Sequence, residues 1–358
     1  MGKTLYIIFM FDNKTEVLTE SGWKLFKDLL EDSLATVNPS TFELIFEKPT
    51  EIIAVPYSGN LICAKNLFLN FKLTYSHNML VRKWIERDRT LSKFYEFVPI
   101  KKIGWYSGLL NNIIWNGSEK SNKFIIPGVE HKQKPQRLTK EVSMKSWLKF
   151  WGIFLAEGTV LGSYRKKKQL YKIQLACSKK REKTFIKKVL KELDLHFLEL
   201  KDRITFERKQ IYKLMENFKG VHAPFKYVPQ FVFKQPAKNI KQILLGHVMG
   251  DGCIQNNLKS HYTSSFRLAD DLQLLIFLSG NESRITERSS RMSVMKDGRN
   301  VRGKFPEYRI SVCEKKNLSI ERKKTLFNEP YEGIVYTAKM PTYHTLVTRR
   351  NKKIFISG

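Results

Sequence analysis

Acidic side chains are scarce in this 358-residue sequence: 34 Asp and Glu stand against 64 Lys and Arg, a formal net charge of +30. That imbalance points to an anionic partner, nucleic acid first. Cysteine is sparse as well. Cys63, Cys177, Cys253 and Cys313 are far apart and form no CxxC pair, which excludes a zinc ribbon or a disulfide framework and leaves reduced thiols. Long apolar runs are missing: LYIIFMF, Leu5 to Phe11, is too short to span a membrane, lacks a cleavage site and leads into Asp12. We therefore expect a cytoplasmic protein without a membrane partner. The seven histidines show no metal-ligand spacing, which excludes a histidine-based metal centre.

What the chain does have is enough apolar residue, 42%, to bury a core in each of two or three domains. Its positive charge is locally dense. Residues 161–190 carry eleven bases (Arg165, Lys166, Lys167, Lys168, Lys172, Lys179, Lys180, Arg181, Lys183, Lys187, Lys188) and one acid, Glu182. Such density suits phosphate neutralisation, although a solvated surface uses the same residues.

Short β-type runs broken by Gly, Pro and Asn fill the first part of the chain: TEVLT, FELIFE, EIIAVPYSGNLICAKN and NFKLTYSHNMLV. An all-β unit over 1–138 is the natural reading. From about 139 the apolar spacing becomes helical in SMKSWLKFWGIFLAEG, and a scheme of helix, alternating strands and amphipathic helix recurs to about 325, in halves 143–235 and 236–325. From 326 to 358 the β texture returns in GIVYTAKM and YHTLVTRRN, so the middle reads as an insertion.

Two motifs inside the insertion carry chemistry. FWGIFLAEG and LLGHVMGDG each have an apolar lead-in, Gly at the third position and an acid at the eighth. Gly152 and Ala156, and Gly246 and Gly250, give each helix a smooth face of small residues, so two such helices can pack with backbones nearly touching. Each helix then ends in an acid followed by glycine, Glu157-Gly158 and Asp251-Gly252, and close packing brings two carboxylates together. Adjacent carboxylates repel unless a cation lies between them, and Mg²⁺ suits oxygen donors. A metal-dependent phosphodiesterase needs no more than this.

With these motifs the chain resembles the LAGLIDADG homing endonucleases, in the two-motif (DOD-type) form in which one chain carries both halves. RLADDLQLLIFLSG, Arg267 to Gly280, is similar to a helix common in intein-associated members. The resemblance implies an α+β fold of two pseudo-symmetric αββαββα halves, acting as a monomer on a long, asymmetric double-stranded DNA target. It implies a staggered, Mg²⁺-dependent double-strand break, with Mn²⁺ as a substitute, and makes Glu157 and Asp251 the metal-binding catalytic acids. Strands that read a groove alternate polar and apolar side chains. On that basis Lys172, Gln174, Arg203 and Thr205, then Thr263, Ser265 and Arg267, then Arg284, Thr286 and Arg288, then Arg309 and Ser311 are candidate DNA contacts, beside Arg165, Lys166, Lys167, Lys168 and Lys201. Any half-buried strand alternates in the same way. Lys201 and Arg309 are also candidates for the base that the family places near each acid.

The flanks resemble the Hint fold of inteins, phage-type, through LTESGWK, LTYSHNMLV and MPTYHTLVTRRNKKIFISG. Thr74 and His77 match the pair that polarises the first scissile peptide in that family. The matching nucleophile position is Met10, and methionine cannot serve. Gly358 stands where the chain lacks the family's closing Asn, so Thr74 and His77 are expected to be vestigial and splicing lost. Lys65, Arg82, Lys83, Arg349 and Arg350 offer further DNA contacts on these flanks, or a solvated surface.

Two other readings compete with an endonuclease: residual peptide cleavage by the Hint-like part, and a non-cleaving DNA-binding derivative. The first makes a direct prediction. With Met10 in the nucleophile's place, incubated full-length protein keeps its mass, and a smaller product in the mass spectrum would restore peptide chemistry to the reading.

Overall fold

The computed structural model describes residues 9–130, 138–165, 168–255, 258–290, 292–294, 300–302, 304–313 and 318–358. It is an α+β structure with more strand than helix, in two compact units. The first unit comprises 1–115, 280–284 and 314–358, and the second comprises 116–279 and 285–313. No described helix is long and apolar enough to cross a membrane.

The first unit is built from both ends of the chain. Strand Glu51–Lys65 pairs antiparallel with Leu326–Lys339 along their whole length, from Leu326 opposite Ala64 to Lys339 opposite Glu51. A six-stranded sheet likewise sets Glu16–Thr19 between Leu34–Val37 and Leu346–Arg350. The closing hairpin turns at Asn351 and Lys352, both at positive φ (45° and 60°), the two-residue geometry whose twist matches its strands. Phe11, Val17, Leu34, Leu73, Tyr336 and Phe355 meet in one buried core, so residues more than 300 apart in sequence share a single apolar cluster. Strand Leu318–Glu321 pairs with Tyr106–Leu109 in this unit, although the sequence pattern assigned 318–325 to the insertion.

Among the described residues, five α-helices shape the second unit: α1 (Met144–Glu157), α2 (Lys180–Glu192), α3 (Lys209–Leu214), α4 (Ala237–Gly250) and α5 (Phe266–Leu278). The first half runs α1, two strands, α2, two strands, α3. Its sheet orders Gly158–Arg165, Lys168–Ala176, Arg203–Glu207 and Leu198–Glu199. The second half runs α4, Gly252–Gln255, Leu258–Thr263 and α5, then Glu282–Arg288 and Glu307–Cys313 in the same four-stranded sheet. Each acid-bearing helix thus passes directly into a hairpin.

Helix α1 is buried nearly all round, from Met144 to Leu155, as expected of a helix at the centre of its unit. It packs on α4 with almost no space between backbones. A Cβ added at Gly152 would fall 2.1 Å from the Ile243 carbonyl oxygen, and one at Gly246 would fall 2.2 Å from the Lys149 carbonyl oxygen. Backbone cannot yield as a side-chain tip can, so only glycine fits either position. Gly152→Ala and Gly246→Ala are each expected to cost about 1–3 kcal/mol or more, read by urea unfolding, and loss-free unfolding curves would contradict this packing.

Candidate functional site

The packing of α1 on α4 fixes where their last residues lie. Glu157 is the final residue of α1, and Asp251 is the C-cap of α4. At the same level, a Cβ on Gly250 would meet the Ala156 Cβ at 2.7 Å and the Glu157 Cγ at 3.0 Å. Glu157 passes straight into extended Gly158, the first residue of the next strand, whereas Asp251 forms a bend and its carbonyl accepts the Tyr262 N–H at 2.9 Å.

Burial raises the proton affinity of Glu157, and repulsion from Asp251 adds to it, so its carboxyl is pushed up to about 7. Asp251 is raised chiefly by the protein packed round it, with Lys226 pulling the other way. Its side is open to solvent, so water offsets part of that rise. Glu182, buried beside Lys179 and bonded to it at 2.8 Å, adds negative charge to both.

The cation of the site is one the sequence patterns did not single out. Lys226 is 5% exposed, and its Nζ donates to the carbonyls of Phe154 and Leu155 at 3.0 Å and of Ala156 at 3.5 Å. It thereby satisfies the open end of α1. Burial lowers its pKa to about 8, against the opposing pull of Asp251 and Glu157. Lys201 and Arg309, the candidates from sequence, are elsewhere: Lys201 is exposed in a bend, and the Arg309 guanidinium donates to Ser260 Oγ at 3.2 Å. The cations acting on Glu157 and Asp251 are Lys226 and Lys179. One signal was available for Lys226: it is the single charge in the aromatic stretch APFKYVPQFVF.

The candidate DNA contacts divide. Lys172 and Gln174 alternate with buried Ile173 and Leu175, and Arg203 follows on the neighbouring strand, where it is bonded to Asp202 and to Gln174. Thr205 is buried. Arg165 and Lys168 face each other at the end of their hairpin, and Lys166 and Lys167 lie outside the described residues. Arg284, Thr286 and Arg288 share strand Glu282–Arg288, with Arg288 3.9 Å from Glu307. Arg309 and Ser311 lie on Glu307–Cys313. Ser265 is not a groove residue. The strand ends at Thr263, and the fully buried Ser265 caps α5, accepting from the Leu268 N–H at 3.1 Å and donating to the Lys226 carbonyl at 2.7 Å. Arg267 is therefore helical, stacked 4.3 Å over the Tyr227 ring.

In the first unit, Thr74 holds the Met10 backbone, and the His77 ring packs edge-on against Phe11, centroids 4.6 Å apart. The Met10 N–H donates to Thr74 Oγ1 at 3.1 Å, and the Thr74 N–H donates to the Met10 carbonyl at 3.1 Å. His77 is fully buried, within 2.8 Å of Ser357 Oγ through Nε2, and burial pushes its pKa down to about 3. Arg349 and Arg350 are not available to DNA. Arg349 is 1% exposed and holds Glu16 through two bonds, and Arg350 holds Asp12.

Two carboxylates meeting at the foot of two helices form a donor set suited to a hard divalent cation, and their raised proton affinity is what such a cation would relieve. The same shifts set a pH dependence. Glu157 and Asp251 bind protons more tightly folded than unfolded, so their contribution to stability is complete below the unfolded values and lost as pH rises through 6 to 7. In EDTA, the double variant Glu157→Gln/Asp251→Asn should gain melting temperature over the native chain increasingly from about pH 5 to 7.5. A pH-independent difference would mean that the two carboxyls are not crowded.

No family model matches the chain. It is 25% identical over 94% of its length to 35% of the DNA-directed RNA polymerase subunit beta C-terminal section of Stigeoclonium helveticum. It is 27% identical over 75% of its length to 28% of the ATP-dependent Clp protease proteolytic subunit of Chlamydomonas moewusii. The chain thus spans about a third of the length of these curated relatives. Partial likenesses among solved structures include I-DmoI in complex with DNA and Mn (9% identity, 48% of this chain, 90% of that one, TM-score 0.33). They also include the AceL NrdHF class 3 split intein (17%, 37%, 75%, TM-score 0.23) and the N-terminal LAGLIDADG domain of DUF199/WhiA (11%, 47%, 74%, TM-score 0.26).

Proposed function

We propose that this chain is a LAGLIDADG-type, site-specific DNA endonuclease carried in an intein-like Hint frame that no longer splices. The observation that carries the reading is the meeting of Glu157 and Asp251 at the ends of two helices packed glycine to glycine. A pure binding protein gains nothing from crowding two carboxylates.

Charge distribution supports a DNA substrate. The second unit holds 39 Lys and Arg against 17 Asp and Glu, whereas the first holds 25 against 17. The two curated relatives also bear on the reading. They carry unrelated names, yet each shares a stretch with most of this chain, as a mobile segment inserted in different hosts would. Because both acids come from one chain, a monomer contains a whole site. The second unit is the cutting portion, and the first is the Hint-like frame, in which the Met10 backbone is held by Thr74.

In the reaction, a water oxygen bonds to phosphorus, a P–O bond of the backbone breaks, and a proton goes to the leaving oxygen. Glu157 and Asp251 would hold Mg²⁺, or Mn²⁺, which when bound would supply a more acidic water and offset negative charge at the phosphate. Lys226 fixes the end of α1 through the carbonyls of Phe154 and Leu155, and its amine, with a pKa near 8, holds a proton available at the site near neutral pH. Lys172, Gln174, Arg203, Thr263, Arg284, Arg288 and Arg309 remain the side chains from which sequence readout is drawn.

Selection of cleaved duplexes from a randomised DNA library with Mg²⁺ tests the reading. One long, asymmetric target with a staggered cut is expected. Glu157→Gln or Asp251→Asn should reduce cleavage by about a hundredfold or more while sparing binding, and binding should fall at least about tenfold between 50 and 200 mM salt. Undiminished cleavage by either variant would remove these acids from the mechanism.

A further inference from the structure

A groove of about 540 Å³ opens on the β-rich first unit, beside the Thr74–His77 turn, and neither Glu157 nor Asp251 lines it. Its rim carries three aromatic rings, Tyr75, Trp105 and Phe327, each with 37% or more of its surface exposed. Three cations line it as well, Lys101, Arg322 and Lys323, and no acid is among its lining residues. Exposed rings grouped on one face mark an interaction site rather than chance exposure.

The groove is also preorganised. The Trp105 indole N–H donates to Glu86 Oε1 at 2.6 Å, and the ring abuts Trp84 edge-to-face with centroids 5.6 Å apart, which fixes its plane. Arg322 is held by three bonds. Its Nη1 donates to the Ile103 carbonyl at 3.2 Å, its Nη2 to the Lys101 carbonyl at 2.8 Å, and its backbone N–H to the Trp105 carbonyl at 2.9 Å. Little side-chain entropy is left to lose when a partner arrives. A fixed ring that can stack a planar group, beside cations that can take phosphates, matches the chemistry of unpaired nucleotides. Paired bases present no free face to such a ring.

We propose that this groove binds single-stranded nucleic acid, with bases stacked on Trp105 and its aromatic neighbours and phosphates on Lys101, Arg322 and Lys323. The site is separate from the paired carboxylates and does not depend on them. It gives the β-rich unit a nucleic-acid contact of its own, of a kind a duplex cannot use.

The test is fluorescence anisotropy of labelled oligothymidylate and oligouridylate on the full chain, at about 0.2 M salt so that phosphate contacts alone contribute little. Trp105→Ala should weaken binding about fivefold or more, Trp105→Phe should retain most of it, and Lys101→Ala/Lys323→Ala should flatten its salt dependence. Arms with DNA and RNA of the same sequence identify the preferred polymer. Affinities of Trp105→Ala and of the lysine pair within twofold of the native chain would overturn the proposal, as would an equal loss on a duplex. Duplex cleavage is measured on the same variants and is expected to be unchanged, so failure of this groove and failure of the endonuclease reading are told apart.

Discussion

Backbone contact between α1 and α4 at Gly152 and Gly246 is the constraint from which the rest of the second unit follows. Helices meeting through ordinary side chains stay 8–10 Å apart, and their ends would separate two terminal acids by a similar distance. With glycine at the crossing the ends converge, and the protein must manage two carboxylates and an open helix terminus in a small volume. Lys226 answers both demands, because its ammonium satisfies the α1 carbonyls and, with Lys179, supplies positive charge that both acids feel. Ser265 then ties the Lys226 backbone to the start of α5, so helix, lysine and acids are held as one assembly.

The position of each acid at a helix end was legible in sequence because its cues are local: small residues one turn apart, an acid at the helix end, a glycine after it. Lys226 was not, because its importance is purely tertiary. It lies in an irregular stretch, and only folding brings it under a helix whose sequence is far away. Ser265 and Arg267 show a different failure. Period-two alternation continues through Thr263, Ser265 and Arg267, but a serine two residues before an arginine and three before a leucine fits a helix cap as well, and the buried N–H groups of α5 decide the contest. Arg349 and Arg350 were misread for a third reason. Charge in a sequence says nothing of exposure, and these two guanidiniums are consumed by Glu16 and Asp12 from the opposite end of the chain.

The β texture at both ends was legible from its alternation and turn residues, and the structure adds how strongly the ends depend on each other. Thr74 keeps two hydrogen bonds to the Met10 backbone and His77 packs against Phe11, although the methionine side chain has no nucleophile to offer. Their hydrogen bonds hold neighbouring strands together whatever the residue between them does, which is reason enough for the arrangement to persist.

The pairing of Glu51–Lys65 with Leu326–Lys339 also dictates an order of events during synthesis. The second unit has all its residues once Cys313 has been made, whereas the first still lacks one edge of its long ribbon and the strands Leu346–Arg350 and Lys353–Ser357. As the ribosome advances, the inserted unit can therefore fold while the frame around it waits, with Phe11, Val17 and Leu34 unable to complete their core. Closing so large a loop from a random chain would carry a heavy entropic cost, and an insert that is already compact draws the two halves of the frame together before they pair.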